Sequence, residues 1–485
     1  MSIRGPVTSP YRDTIEAFLD SGVPRHTLGL VYGRRRIGKS TLLDQITVER
    51  GGFYWEATRT ETAVHLARLG AALGEHLGVG PLAFAGWEDA LRALLRLGTE
   101  KPVPVVLDEF GHVLEAAPGV DSVVASALGP AAQRARPGQT RIILCGSAIA
   151  MLAALTAGQA PLRGRAGLEL VMQPHDFRAT ASWLDSNDLT LAVQVYAVIG
   201  GVIGYATDMV DYDLPRNTRD FPRWVAARVL APSATLHHEA TTLLAEDPTL
   251  STGSPLLHHG ILGGIANGSV TAGTIAKHLG RSVPSIDPAL RRLIDTGFVV
   301  RHADPIRAQR PMYALADPFL QFHYAVLEPH SVLLRERDPR PAWNERLAAT
   351  FQSRVLGPVF EEQCRVWVRR FASEATLGGP PDHVGPTAVS IGGVERQVDV
   401  VVATGPADTA PADRTVIALG EAKAGETVGI GILTDLERVR SALGHRAAGA
   451  KLLLFGPAFT PELRSLADRR SDVELVDLDR LYHGE

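Results

Sequence analysis

The chain has 485 residues, 45% of them hydrophobic and 21% charged, with a formal net charge of −4. This length exceeds one ordinary core, and the balance excludes both a long disordered tail and a global field that would draw nucleic acid to the whole surface. The two cysteines, Cys145 and Cys364, exclude a disulfide framework and a cysteine-based zinc site and fit a reducing cytoplasm, and the first ten residues lack the apolar core of a signal peptide.

Leu28-Gly29-Leu30-Val31-Tyr32 is an apolar run predicted to be a buried strand. The segment after it, Gly33-Arg34-Arg35-Arg36-Ile37-Gly38-Lys39-Ser40-Thr41, fits the phosphate-loop pattern G-x-x-x-x-G-K-[ST] in full. Glycine is needed where the backbone turns back, because a side chain there would stop successive amide N–H groups converging on phosphate oxygens. The helix that starts at the loop adds its positive end. In this frame Lys39 neutralises the outer phosphates of a nucleotide such as ATP, and the Ser40 hydroxyl ligates Mg2+. Gly51-Gly52 stops the helix, Phe53-Tyr54-Trp55 gives a short strand, and His65 to Leu77 and Trp87 to Leu97 have the periodicity of crossover helices. Val103 to Leu107 is the next buried strand. It delivers Asp108-Glu109 at its carboxyl end, where open parallel sheets bind ligands. Asp108 is expected to hold the Mg2+ and Glu109 to orient and deprotonate the attacking water. Arg141 to Ser147 forms another strand, whose terminal Ser147 either faces the attacking water and terminal phosphate or is a satisfied loop serine. In Pro161-Leu162-Arg163-Gly164-Arg165 an arginine either reaches the terminal phosphate, in its own subunit or a neighbour's within a homo-oligomer, or is solvated surface charge. Arg165 is the candidate named, and spacing does not separate it from Arg163.

These four segments, Gly-Arg-Arg-Arg-Ile-Gly-Lys-Ser, Leu-Asp-Glu-Phe, Cys-Gly-Ser and Pro-Leu-Arg-Gly-Arg, together resemble the archaeal-type ATPase family, which belongs among AAA-like and STAND P-loop ATPases. Gly200-Gly201-Val202-Ile203-Gly204-Tyr205 resembles that family's Gly-Gly-x-Pro-x-Tyr element, with Ile203-Gly204 in place of its hydrophobic-then-proline step. The family's N-terminal Arg-Glu box is reduced here to Tyr11-Arg12-Asp13. Between Asp188 and Asp208 lie nineteen uncharged residues; the polar residues within them and the Gly200-Gly201 break predict packed short helices and no membrane span. The His237-His238 and His258-His259 pairs read as structural, since helix neighbours point in different directions.

Residues 189–246 read as short helices, which the resemblance makes a lid over the nucleotide. From Leu256 three helices follow: Leu256 to Ala266, Thr271 to Leu279, and one capped and started by Asp287-Pro288 that runs to about Thr296. Val299 to Arg301 and Met312 to Leu315 then pair around a loop. This is winged-helix spacing, and it serves either DNA, through Arg291, Arg292, Arg307 and Arg310 on phosphates, or protein docking. Asp317-Pro318-Phe319-Leu320-Gln321-Phe322 resembles the family's Asp-x-Phe-x-x-Phe bridge. Beyond it, a helix carrying Glu361 and Glu362, a strand carrying Asp399 and a strand ending Glu421-Ala422-Lys423 form a PD-(D/E)xK layout. Residues two apart on a strand share a face, so Glu421 and Lys423 point together toward Asp399. Asp399 and Glu421 are candidate Mg2+ ligands, and Lys423 is the group that orients the attacking water or stabilises developing charge. Resemblance to the nuclease-like domain fused to archaeal-type ATPases adds Glu361 as a further metal-side acid, with Glu362 the alternative, and implies DNA cleavage or a decayed nuclease kept for docking.

The expectation is thus an α/β chain: a P-loop NTPase parallel sheet of ASCE/AAA-like type over residues 1–180, a helical lid over 181–250, a winged helix over 251–330 and a restriction-endonuclease-like α/β domain over 331–485. It is expected to hydrolyse ATP with Mg2+ and to cut DNA. The alternative is a nucleotide-switched regulatory or scaffolding protein with an inactive nuclease-like domain.

Overall fold

In the computed structural model, which describes residues 10–184, 186–251, 254–308 and 310–485, the apolar runs of the N-terminal half become strands because each is short and bounded by turn residues. They are β1 (Thr27–Tyr32), β2 (Phe53–Glu56), β3 (Val103–Asp108), β4 (Thr140–Gly146) and β5 (Ala166–Val171), all parallel in the order β2-β3-β4-β1-β5. Every residue of β3 and β4 is buried, as in a sheet covered on both faces by crossover helices. Helices Thr62–His76 and Trp87–Leu95 supply Leu69, Leu73, Leu91 and Leu94 to one core with Leu30, Val105 and Leu144. Each such side chain contributes roughly 1.5–3 kcal/mol by leaving water. The strand β5 has no clear signature in the sequence; as an edge strand it alternates half-buried and exposed residues.

The chain divides into two compact units. One ends at Pro174 and takes in Asp247–Thr249, and the other comprises His175–Glu246 and Leu250–Glu485. In the second unit the Asp188 carboxylate accepts the Leu191 amide and starts helix Leu189–Ile199, which ends at Gly200. The uncharged stretch is therefore interrupted, and among the described residues no helix is long and apolar enough to cross a membrane. Gly201 is required by close approach: a Cβ there would lie 1.7 Å from the His175 carbonyl oxygen. The Tyr205 hydroxyl donates to Asp317 Oδ2 at 3.0 Å in the interior, and Asp317 Oδ1 accepts the Phe319 amide. Two segments far apart in the chain, each singled out by its residue pattern, thus meet in one buried contact.

Helices Pro255–Ala266 and Ala272–His278 follow, the second capped by Thr271 as expected, with Thr274 completing a capping box. The third differs from expectation. It runs Val283–Asp295, so it begins one turn before Asp287-Pro288. Pro284 occupies the first turn, where no N–H partner is needed, and Ser285 bonds back to Ser282 at 2.7 Å. Pro288 is carried inside the helix. Strands β6 (Val299–His302) and β7 (Met312–Leu315) form an antiparallel hairpin.

The C-terminal sheet is built from β8 (His383–Ile391), β9 (Val394–Thr404), β10 (Thr415–Ala422), β12 (Lys451–Phe455) and β14 (Val473–Val476), with a short parallel pair β11 (Thr427–Val428) and β13 (Ala458–Phe459) beside it. Its order is β14-β12-β10-β9-β8, antiparallel across β8, β9 and β10 and parallel beyond. Helix Ile430–Leu443 packs Leu433, Leu436 and Val439 onto the sheet's core. The loop between β6 and β7 is seated on this sheet. Ile306, 3% exposed, joins the core of Val398, Val401 and Leu419, and Asp304 accepts from Thr387 Oγ1 at 2.7 Å and from the amides of Ile306 and Arg307.

His323, 5% exposed and near the imidazoles of His259 and His237, is pushed down to about 4, by burial first and then by those two histidines. Its folded value lies below the unfolded one, so the unfolded chain binds more protons between about pH 6.5 and pH 4 and stability falls as pH drops through that window. The loss between pH 8 and pH 5 is expected to be about 2 kcal/mol. Urea denaturation of the full chain and of His323→Leu at both pH values checks it, because the variant should lose that much less on acidification.

Candidate functional site

The phosphate-loop sequence leaves β1 at Tyr32 and turns under two backbone constraints. A Cβ on Gly33 would lie 2.3 Å from the carbonyl oxygen of Met172, and Gly38 has φ 89°. Arg36, at φ 64°, also takes the left-handed region. Ile37 is buried against the unit, whereas Arg35, Ser40 and Thr41 are exposed. Lys39 begins helix Lys39–Glu49, and its ammonium, 5% exposed, donates to the carbonyls of Gly33 at 2.9 Å and Arg34 at 2.8 Å. Burial lowers its pKa, opposed by the negative charge of Glu109 and Asp108.

Asp108, fully buried at the end of β3, is the centre of the arrangement. Burial alone raises its pKa, yet hydrogen bonds from Ser40, Tyr54 and Cys145 and from the Glu109 amide bring it below the ordinary carboxylate value. The Tyr54 phenol lies 2.5 Å from Oδ2 and the Glu109 amide 2.7 Å from Oδ1. Glu109 itself sits at φ 47°, a strained position for a residue with a side chain. That twist turns its carboxylate toward the end of β4, where Oε2 accepts from Ser147 Oγ at 3.0 Å and from the Ser147 amide at 3.3 Å. The structure therefore brings Lys39, Ser40, Asp108, Glu109 and Ser147 to the carboxyl ends of β1, β3 and β4. This is the crevice at which the strand order reverses.

Tyr54 and Cys145 belong to this cluster and were not legible as such. The signal for Tyr54 was only the alternation of β2, which buries Phe53 and Trp55 and turns Tyr54 to the other side; the register Tyr54↔Val106 that aims it at Asp108 is tertiary. Arg165 is not brought there. Ala166 pairs with Leu28 and Val171 with Tyr32, so Arg165 stands at the opposite end of the sheet, separated from the loop by about 16 Å of strand. It donates to the Ala125 carbonyl and lines a cavity of about 560 Å³ with Phe18, Arg25 and Gln133. Arg163 is exposed and bonds the Gly158 carbonyl. Within one chain neither arginine meets the loop, because the parallel pairing of β5 with β1 carries both away.

In the second unit the acids of the PD-(D/E)xK layout converge from one helix and two strands. The register that pairs Val400 with Gly420 puts Asp399 beside Glu421. Asp399 Oδ2 accepts the Ala422 amide at 2.9 Å, and Lys423, one residue past β10, places its ammonium 2.7 Å from Glu421 Oε1. Glu361 lies on helix Gly357–Arg370. Burial, and then the charge of Asp399, push it up to about 8. Burial likewise raises Asp399 and Glu421. Burial would lower Lys423, but its bond to Glu421 outweighs that and raises it. Among the described residues no three histidine, cysteine or acidic side chains are drawn together as a ready ligand set. The donor chemistry nevertheless fits a hard divalent cation: Asp399, buried, and Glu361 and Glu421, half-buried, offer carboxylate oxygens, the donors such ions take.

Three of the four arginines expected to face phosphates have ion-pair partners. Arg291 bonds Asp287 at 2.9 Å, and Arg310 and Arg307 lie 2.7 and 3.9 Å from Glu395 Oε1. Arg292 is exposed with no ion-pair partner among the described residues, as are Lys277, Arg281 and Arg301.

No protein-family model matches the chain. The uncharacterized protein MJECL04 of Methanocaldococcus jannaschii is 24% identical over 314 residues, 63% of this chain and 65% of that protein, so the chain spans just under two thirds of this relative. Among solved structures the chain is similar to the Walker-type ATPase paby2304 of Pyrococcus abyssi, with a TM-score of 0.49 and 20% identity over 65% of this chain and 94% of that one. It is also similar to the Aeropyrum pernix ORC2 protein in its ADPNP and ADP complexes, with a TM-score of 0.41 and 16% identity over 67% and 94% of the two chains. A third is Cdc6p of Pyrobaculum aerophilum, with a TM-score of 0.34 and 15% identity over 68% and 96%.

Gly33→Ala forces backbone apart at the Met172 carbonyl. The expected cost is roughly 1–3 kcal/mol, seen as a lower melting temperature of the first unit. A variant as stable as wild type would show that the loop does not need this close approach.

Proposed function

We propose that the first unit binds ATP with Mg2+ and hydrolyses it, and that the second unit binds DNA through a winged helix and cuts it at the acid site. The observation that carries the nucleotide reading is the meeting of Ser40 with Asp108 beside the buried Lys39 ammonium, with Glu109 held next to them by Ser147. Gly33 to Thr41 are the residues that would hold the nucleotide. Lys39 gives up the Gly33 and Arg34 carbonyls for phosphate oxygens, and Ser40 and Asp108 offer oxygens to the cation. Bound Mg2+-ATP supplies the reactive terminal phosphoryl group. Glu109 orients a water and takes its proton, and Ser147 sets the direction of that carboxylate. A role for Arg165 on the terminal phosphate is then one played on a neighbouring subunit's loop in a homo-oligomer.

At the acid site, Asp399, Glu421 and Glu361 are the residues that would hold Mg2+, which when bound supplies Lewis-acid activation of a phosphodiester and a lowered pKa for its water. Lys423, anchored on Glu421, orients the attacking water. The three helices and the β6–β7 hairpin are the proposed winged helix, and Lys277, Arg281, Arg292 and Arg301 are its phosphate-facing charges. Nucleotide state governs access of DNA to the acids; equal cleavage by wild type and Lys39→Ala, with and without ATP, would sink that coupling. The second reading, an inactive nuclease-like domain kept for docking, is favoured by one observation: the hairpin loop is seated in the C-terminal core, with Arg307 and Arg310 held by Glu395.

Calorimetry with ATP and magnesium is expected to show binding by wild type that Lys39→Ala weakens at least tenfold, about 1.4 kcal/mol or more. Glu109→Gln should keep the affinity and lose roughly 10²–10⁴-fold in turnover. No heat from wild type would remove the nucleotide reading. For the acid site, supercoiled plasmid with Mg2+ should be cut by wild type and left intact by Asp399→Ala and Lys423→Ala. Intact plasmid with wild type favours the docking protein.

A further inference from the structure

Arg365 lies on helix Gly357–Arg370 with its side chain 5% exposed, a cation inside the protein beside three acids. Its Nε donates to Glu362 Oε2 at 2.7 Å, and one terminal nitrogen donates to the main-chain oxygen of Asp399 at 2.8 Å and lies 3.8 Å from Glu361 Oε2. A guanidinium presents its donors in a rigid planar fork, so one side chain can grip a helix and a strand at once. Asp399 is thereby held twice: its main chain by Arg365, its carboxylate by the Ala422 amide of β10.

Glu362 is spent in the same network. It accepts from Arg365 and Arg369, and its Oε2 lies 3.5 Å from His302 Nε2 on β6. An anion so committed is a counter-ion and not a free metal ligand, which leaves Glu361 as the acid this helix contributes. His302 closes β6, four residues before Ile306, which sits in the core of the C-terminal sheet.

We propose that Arg365 is the positioning residue of the acid site: by gripping Glu362 and the main chain of Asp399 at once, it sets the placement of Glu361 and of the Asp399 carboxylate. This rests on the metal-dependent cleavage reading. Groups that orient ligands from behind set metal affinity by roughly 10–100-fold when removed, whereas a purely structural arginine would move stability and leave the affinity of the folded protein alone. Truncating a buried charge leaves its partners uncompensated and can unfold the protein, so the informative change is Arg365→Lys, which keeps the charge and loses the fork.

The experiment is Mn2+ binding to the full chain without nucleotide, followed by electron paramagnetic resonance, for wild type, Arg365→Lys, Glu362→Gln and Asp399→Ala, with thermal melting of each. The difference between wild type and Asp399→Ala isolates the acid site. Arg365→Lys is expected to melt cooperatively and to weaken that site roughly 10–100-fold, with plasmid cleavage partly restored at high Mn2+; Glu362→Gln should lie between it and wild type. Wild-type Mn2+ affinity in folded Arg365→Lys overturns the positioning role while leaving the cleavage reading intact. Should Arg365→Lys fail to fold, unchanged affinity in Glu362→Gln overturns it instead. Equal Mn2+ binding by wild type and Asp399→Ala removes the cleavage reading, and this proposal with it.

Discussion

A carboxylate carried into the interior must be met by donors or it will not stay charged, and Asp108 is such a group at the end of a strand with no exposed surface. Its donors come from four places in the chain: Ser40 after β1, Tyr54 in β2, the amide of Glu109, and Cys145 in β4. They can converge only if β1, β2 and β4 stand around β3 in the observed order. Sheet topology and site chemistry are therefore one constraint in the first unit. The left-handed backbone at Glu109, costly by itself, is held by the same cluster, since the twist hands its carboxylate to Ser147.

The second unit meets the same requirement with the signs exchanged. There a buried guanidinium, Arg365, is matched by Glu362 and by the main chain of Asp399, while Lys423 matches Glu421. Arg365 and Glu362 come from the helix and Glu421 and Lys423 from the end of β10, and Asp399 of β9 is held between the two pairs by its main chain and its carboxylate. The hairpin loop adds an apolar anchor, Ile306, and a hydrogen-bonded one, Asp304. Arg307 and Arg310, which a linear reading assigns to phosphate contacts, are paired there with Glu395, whereas Arg292 and the other exposed cations of the helices remain as the outward surface.

Much of the fold was legible because it is written in local patterns. Apolar runs bounded by turn residues marked β1 to β4, and helical periodicity marked the covering helices of the first sheet. Boundaries failed where two signals competed: Ser282 and Pro284 outweighed Asp287-Pro288 as the start of the third helix because a proline in the first turn sacrifices no bond. The edge strand β5 escaped notice because half of its residues face water and its alternation spans too few of them.

By itself the sequence determined the loop closing on Lys39, the acid pair at Asp108-Glu109 and the ordered series Glu361, Asp399, Glu421, Lys423, since each is a spacing of residue types along the chain. Only the tertiary structure decided which groups those residues meet. Parallel pairing set Arg165 at the far end of the sheet and Tyr54 on Asp108, and packing of a helix against two strands committed Glu362 to Arg365. Strand order and helix docking are contacts between distant segments, and a register shift of one residue, invisible in a linear pattern, would reverse which side chains share a face.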